Sequence, residues 1–149
     1  MKTNLKRSLS AAALGLLTIA ACAQFTQPSN DVPAYNPAPP TKPLPALLSG
    51  NQLSGPNFTH PWQVIVYKMA AKIPAVIHQQ PCYCHCDRAL GHKSLHSCFE
   101  GTHGAECSTC AKEAAYAYQQ TKLGKNASQI RAGIERGEWQ SIDLDHIAL

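Results

Sequence analysis

The sequence predicts a small all-α domain of about three helices, built around a Cys/His-rich loop and preceded by a signal peptide and a disordered proline-rich linker. Apolar residues recur at helical spacing on both sides of the cysteine-rich region. Six of the seven cysteines lie between residues 82 and 110. Seven prolines lie between residues 28 and 45, where no helical or strand period is present.

Residues 1–21 have the pattern of an export signal. Three basic residues among the first seven precede an apolar stretch that is too short to span a bilayer comfortably. The sequence Ile-Ala-Ala-Cys at 19–22 resembles a bacterial lipobox, although Ala-Cys-Ala at 21–23 also fits ordinary signal-peptide cleavage. We favour the lipobox, in which Cys22 is lipidated. The protein is then exported to the bacterial cell envelope and lipid-anchored to the membrane, facing the periplasm or the exterior.

Residues 22–56 are the predicted tether. They carry many prolines and few apolar residues, so they cannot bury enough surface to fold. Proline-rich chains extend by about 3.1 Å per residue, which makes this segment a spacer between the anchor and the domain at 57–149.

The first predicted helix begins at the Thr-His-Pro sequence of 59–61 and ends before Pro74. A capping residue and a proline there precede an apolar stripe from Trp62 to Ile73. Residues 81–105 carry too many glycines, histidines and cysteines for regular structure, so we expect mostly loops, with one helical turn around 92–98.

Two further helices follow the cysteine-rich region. One begins near Cys107 and ends at Gly124, because alanines and Tyr118 repeat at i, i+3, i+4 and i+7. The last is capped by Asn126 or Ser128, and position 137 closes it with a glycine.

The charge pattern excludes a nucleic-acid partner. The formal charge is +4, but three basic residues lie in the predicted signal, and the remainder has no run of Lys or Arg. No paired carboxylates, phosphate-binding loop or Ser/His/Asp set indicates an enzyme. The sequence indicates no particular protein partner.

Three cysteines, Cys82, Cys84 and Cys86, occupy every second position. An extended backbone would present all three sulfurs on one side, which suits a multi-thiolate metal site. A disulfide within C-x-C is strained and easy to reduce, so this spacing suits such a bond less well.

Cys107 and Cys110 form a C-x-x-C at the start of a predicted helix. The positive end of the helix dipole stabilises thiolates there and favours metal ligation or thiol exchange. The residue after Cys110 is Ala111 and not histidine, which rules out the usual haem attachment pattern.

Among the histidines, His85 and His92 are the better ligand candidates, whereas those at 60, 78 and 146 are expected at the surface or in packing. The spacing of His92 and His96 allows two imidazoles on one helical face. Lys93 stands where a zinc protease carries its general-base Glu, which disfavours that class.

The sequence therefore predicts a thiolate-imidazole site for a soft or borderline transition-metal ion. Cu(I) and Zn(II) are the favoured ions, Hg(II) is a further soft candidate, and Mg²⁺ and Ca²⁺ do not suit these ligands. The expected ligands are Cys82, Cys84, His85, Cys86, His92, Cys98, Cys107 and Cys110.

Two alternatives to a metal site remain at this stage. Six cysteines in a small exported domain are also typical of three stabilising disulfides in an interaction module. An extracytoplasmic thiol-disulfide redox protein is the other alternative, although no βαβ pattern indicates a thioredoxin fold.

The sequence Pro-Cys-Tyr-Cys-His-Cys at 81–86, with Gly-His-Lys-Ser-Leu at 91–95 and Cys-Phe at 98–99, resembles the bacterial PCYCGC or CYCXC family. His-Gly at 103–104, Cys107-x-x-Cys110 and Ile130-Arg131-x-x-Ile134 extend the resemblance, which covers about residues 58–137. It implies a small exported lipoprotein with a spacer and defines no activity. The matching positions are Cys82, Cys84, Cys86, His92, Cys98, Cys107 and Cys110.

The chain departs from the commonest family form at His85. Many members of the family that it resembles have glycine there, and some have selenocysteine. The resemblance thereby implies soft-metal or redox chemistry near this position, which His85 can serve as a metal ligand.

Overall fold

A computed structural model describes residues 31–149, and in this range the chain contains six α-helices and no strand. The prediction of a small all-α domain is confirmed, with more helices than the three expected. The predicted signal peptide, Cys22 and the beginning of the predicted tether lie outside the described residues. The α-helices are α1 (Pro61–Lys72), α2 (Pro74–Ile77), α3 (Cys86–Leu90), α4 (His103–Glu106), α5 (Ser108–Lys122) and α6 (Ala127–Glu135). The 3₁₀ helices are Gly50–Gln52, Leu95–Phe99, Glu138–Ser141 and Leu144–His146.

Helix α1 begins at a proline, as predicted, and packs along α5. His60 precedes it, and the backbone N–H of His60 donates a 2.7 Å hydrogen bond to Gln63 Oε1. Pro74 cannot continue the helix and instead begins the single turn of α2. The buried face of α1 includes Tyr67 and Met69, which have no exposed surface.

Helix α5 is the central element of the domain and contacts α1, α2, α4 and α6. Its alanines allow these neighbours to approach closely, because Ala111, Ala114, Ala115 and Ala117 are fully buried. The helix ends at Lys122, and Gly124 follows with a φ of 80°, which is the left-handed conformation expected of a helix-terminating glycine.

Helix α6 has the predicted cap. The Asn126 side chain accepts a 2.9 Å hydrogen bond from Gln129 N, and Gln129 Oε1 accepts a 3.0 Å bond from Asn126 N. The helix buries Ile130 and Ile134, and its Gly133 lies against the ring of Tyr116 on α5.

The region that the sequence predicts to be mostly loops contains α3, α4 and the 3₁₀ helix Leu95–Phe99. Contacts from distant parts of the chain hold these short turns. The Tyr67 hydroxyl donates a 2.6 Å hydrogen bond to the carbonyl of Gly101, and Gln63 Nε2 donates one of 2.8 Å to the carbonyl of Ala105. The 3₁₀ helix overlaps the helical turn that the sequence predicts around 92–98. Helices α3 and α4 were not predicted, because such long-range contacts leave no periodic signal in the local sequence.

Residues 31–56, the described part of the predicted tether, lie against the domain. Pro33 is buried, and Ala34 N donates a 3.0 Å hydrogen bond to an Asp87 carboxylate oxygen. Asn36 Nδ2 donates one of 3.1 Å to the carbonyl of His78. Between residues 31 and 149, no helix has both the length and the apolar character needed to cross a membrane.

Candidate metal centre

All six cysteines of the described residues meet at one place in the domain as thiols, and none of them is in a disulfide. The Sγ atoms of Cys82 and Cys110 are 3.2 Å apart, and those of Cys86 and Cys98 are 3.4 Å apart. Cys84 Sγ lies 3.4 Å from the Sγ atoms of both Cys82 and Cys110. These are non-bonded contacts, since a disulfide bond measures about 2.05 Å.

The backbone of the C-x-C-x-C sequence is not extended. It turns at residues 82–85, where His85 N donates a 3.0 Å hydrogen bond to the carbonyl of Cys82, and it enters α3 at Cys86. Two long-range bonds position this turn. Tyr83 N donates to Glu113 Oε1 at 2.9 Å, and Leu95 N donates to the carbonyl of Gln80 at 2.9 Å. The three sulfurs still reach a common cluster, but by a turn and not by strand alternation.

Three overlapping groups of four side chains have all their donor atoms within 4.8 Å of one another. Each therefore has the compactness that a single metal ion needs. The first group is Cys82, Cys86, Cys98 and Cys110. The second is Cys84, Cys86, His103 and Cys110. The third is Cys86, His92, Cys98 and His103.

Two histidines join the cysteine cluster. His92 Nδ1 is 3.4 Å from Cys98 Sγ, as expected for a predicted ligand. His103 Nε2 is 3.6 Å from Cys84 Sγ, and its ring stands edge-on to His92 with the centroids 5.3 Å apart. Sequence reasoning did not select His103, because its position depends on α4, for which the sequence carries no periodic signal.

His85 and Cys107 lie outside the three groups, although both are predicted ligands. His85 Nε2 is 3.8 Å from a carboxylate oxygen of Asp31, and its backbone is left-handed with a φ of 56°. Cys107 precedes α5 and interacts with the thiols of Cys84 and Cys110.

His96 is not paired with His92. The 3₁₀ helix that contains His96 begins after His92, so the spacing of four residues does not place them on one helical face. His96 is buried, and its Nδ1 instead lies 2.9 Å from Glu100 Oε1.

Neighbouring thiols and burial shift the pKa of all six clustered cysteines, downward at two of them and upward at four. Interactions with the thiols of Cys107, Cys110 and Cys82 lower the pKa of Cys84 below its ordinary value. Interactions with the thiols of Cys110, Cys82 and Cys98 lower the pKa of Cys86 in the same way. Interactions among the thiols together with burial raise the pKa of Cys82, Cys98, Cys107 and Cys110. In the metal-free cluster, the thiolate that binds metal is therefore favoured at Cys84 and Cys86.

A buried carboxyl group, which sequence reasoning missed, lies beside the cluster. Glu113 on α5 has no exposed surface, and burial raises its pKa to about 8. It accepts the hydrogen bond from Tyr83 N and interacts with the thiol of Cys82. Its position on the α5 face toward the cluster, one turn after Cys110, was the available sequence signal.

The cluster is closed on one side and more open on the other. Cys82, Cys86, Cys98 and Cys110 are between 0% and 5% exposed, whereas Cys84, His92 and His103 are half-buried. Pro33 and Ala34 line the same small cavity as Cys82, Cys86 and His92, so residues 31–36 cover one face of the site.

The chain was compared with protein families, curated proteins and solved structures. A family model described as "Protein of unknown function with PCYCGC motif" matches residues 56–140. No curated protein and no solved structure matches the chain. The family match covers all six α-helices and all six clustered cysteines, and it confirms the resemblance seen in the sequence. The chain therefore belongs to the PCYCGC motif family.

Proposed function

We propose that this protein binds a soft or borderline transition-metal ion through thiolates and imidazoles. The observation that carries the proposal is the convergence of seven donor side chains in three groups, each within 4.8 Å. The donors are Cys82, Cys84, Cys86, His92, Cys98, His103 and Cys110.

The spacing of the sulfurs supports binding without refolding. Two thiolates on one tetrahedral ion lie about 3.8 Å apart, given a zinc-sulfur bond of about 2.3 Å. The Cys82–Cys110 and Cys86–Cys98 contacts of 3.2 and 3.4 Å need to widen by only a few tenths of an ångström. Sulfur and imidazole ligands favour Zn(II) and Cu(I), with Hg(II) as a further soft ion.

The proposal is tested by reconstituting the full chain with Zn(II) under reducing conditions and measuring bound metal after gel filtration. We expect at least one tightly bound equivalent. Replacing Cys82 or Cys110 by Ser removes a buried donor and lowers the stoichiometry or the affinity. Cys107→Ser is the matched control, because Cys107 lies outside the three groups. Metal content that is the same in all these variants contradicts the proposal.

We propose a binding role and not catalysis, such as sequestration or handling of the ion, or stabilisation of the domain by it. Thiol-disulfide exchange is the second candidate, and the 3.2 Å approach of Cys82 to Cys110 favours it, because oxidation would need only a small movement. The reduced protein is therefore assayed with a disulfide substrate. A rate no greater than that of free thiol supports binding alone, and a faster rate supports the redox role.

The proposed location is the bacterial cell envelope, with Cys22 as the lipid-anchored residue and the membrane as the contact partner. This rests on the lipobox-like sequence at 19–22. Cells grown with a labelled fatty acid should incorporate the label into the wild-type protein and not into Cys22→Ala. Equal labelling of both contradicts the assignment of Cys22.

A further inference from the structure

The three groups of donors share members in a way that bears on how many ions the site holds. Cys86 belongs to all three groups. The first and third groups share both Cys86 and Cys98, and the second and third share Cys86 and His103. Seven donors are present, whereas a single tetrahedral ion uses four.

Shared thiolates and shared imidazoles have different consequences. A thiolate sulfur has several lone pairs and can bridge two ions. An imidazole nitrogen has one lone pair and binds one ion. The second and third groups both need His103, and a neutral imidazole offers only one unprotonated nitrogen, so the two groups cannot be filled together. At most two of the groups hold ions at the same time.

If one ion fills the first group and a second ion fills the third, six side chains act as ligands. Two of the six bridge the ions. Cys82 and Cys110, 3.2 Å apart, are terminal ligands of one ion, and His92 and His103 are terminal ligands of the other. Cys86 and Cys98 then bridge, and their sulfurs are 3.4 Å apart. With metal-sulfur bonds of about 2.3 Å, this bridge spacing places the two ions about 3.1 Å from each other, a separation at which both keep all four ligands.

Charge balance favours filling the first and third groups over filling the first and second groups. Bound cysteines are thiolates and bound histidines are neutral, so the six donors carry four negative charges. Two divalent ions balance the charge of these six ligands, which favours them in a buried region where net charge is costly. The first and second groups would instead combine five thiolates with one imidazole and leave one negative charge. They would also leave His92 unused beside Cys98.

We propose that the site is binuclear, with two divalent ions bridged by the thiolates of Cys86 and Cys98. This rests on the proposed metal-binding function and specifies its stoichiometry and ion charge. The ion held by His92 and His103 lies on the half-buried side of the cluster, so it exchanges faster than the ion held by the four buried cysteines.

The test loads ¹¹³Cd(II), a soft divalent probe, into the reduced full chain carrying Cys22→Ala, which removes the seventh thiol. We expect two cadmium ions per chain by native mass spectrometry and two ¹¹³Cd resonances with mutual scalar coupling. Such coupling arises only when two cadmium nuclei share a bridging ligand. One bound ion, or two uncoupled ions, overturns the binuclear proposal and leaves metal binding intact. No bound cadmium overturns both.

Two variants assign the ligands. His92→Ala removes a terminal donor of one ion only, so we expect one retained cadmium and no coupling. His146→Ala, at an exposed position near the C-terminus, is the matched control and should retain two coupled ions. Two coupled ions in His92→Ala would overturn the assignment of the bridging pair.

Discussion

At the scale of single residues, His85 lies within the cysteine motif but outside the groups of candidate metal ligands. The family motif is named for a glycine at this position, and the backbone of His85 has the left-handed φ of 56° that glycine adopts without strain. The side chain points toward Asp31 and belongs to none of the three donor groups. The glycine of the motif thus has a backbone explanation that needs no metal.

We therefore predict that His85→Gly leaves metal stoichiometry unchanged. Relief of the left-handed strain, offset by the greater freedom of glycine in the unfolded chain, should change the free energy of unfolding by no more than about 1 kcal/mol. Titration with Zn(II) and urea denaturation measure the two effects. His103→Ala provides the contrast, since it should lower metal binding. If His85→Gly lowers metal binding and His103→Ala does not, then His85 is a ligand and His103 is not.

Glu113 is the second residue whose role follows from its surroundings. Its raised pKa of about 8 means that the carboxyl is protonated at neutral pH in the metal-free protein. Glutamine has the same shape and keeps the acceptor for Tyr83 N, so Glu113→Gln should fold normally. Glu113→Ala leaves that N–H unpaired and should cost about 1–3 kcal/mol of unfolding free energy. Equal stability of the two variants, measured by urea denaturation, would show that this hydrogen bond does not hold the turn.

At the scale of secondary structure, the three longer helices could be predicted and the three short ones could not. Apolar spacing predicts helices α1, α5 and α6, and so do local signals such as Pro61, Gly124 and Asn126. Helices α2, α3 and α4 have only four or five residues each and depend on tertiary contacts. The cysteine cluster was predictable from the local composition of the sequence. The participation of His103 was not, because its position depends on α4.

The contact between α5 and α6 gives a sharp test of packing. A Cβ atom at Gly133 would lie 1.9 Å from Tyr116 Oη and 2.8 Å from a carboxylate oxygen of Glu138. We expect Gly133→Ala to force the helices apart and to lower the free energy of unfolding by about 1–3 kcal/mol. Gly101→Ala is the matched control, since nothing lies within 4 Å of a Cβ there. Thermal unfolding of both variants should show a loss only in Gly133→Ala.

At the scale of the whole molecule, residues 31–36 link the predicted tether to the site. Pro33 covers the cluster, and the neighbouring Tyr35 ring lies 4.6 Å from the guanidinium of Arg131 on α6. Asn36 adds its hydrogen bond to the carbonyl of His78. The composition of this segment predicts a solvated spacer. It could not reveal these few contacts, because they involve residues that are far away in the sequence.

We predict that the double variant Tyr35→Ala/Asn36→Ala binds the same amount of metal and releases it faster to a chelator. Loss of the two contacts loosens the cover without removing a ligand. Thr41→Ala, at an exposed position, should release metal at the wild-type rate. Stopped-flow measurement with a chromogenic chelator follows the release. Equal rates in all three proteins would mean that residues 31–36 do not limit access to the site.

At the same scale, we expect the proposed metal binding to be coupled to folding, because the cluster joins α3, the 3₁₀ helix Leu95–Phe99 and the start of α5. The most direct test of the account is metal content together with free-thiol count, measured on the full chain isolated without added metal. The account predicts at least one equivalent of a thiophilic ion and thiols that react only after chelation or denaturation. Absence of metal together with absence of reactive thiols would contradict it, because the cysteines would then be disulfides.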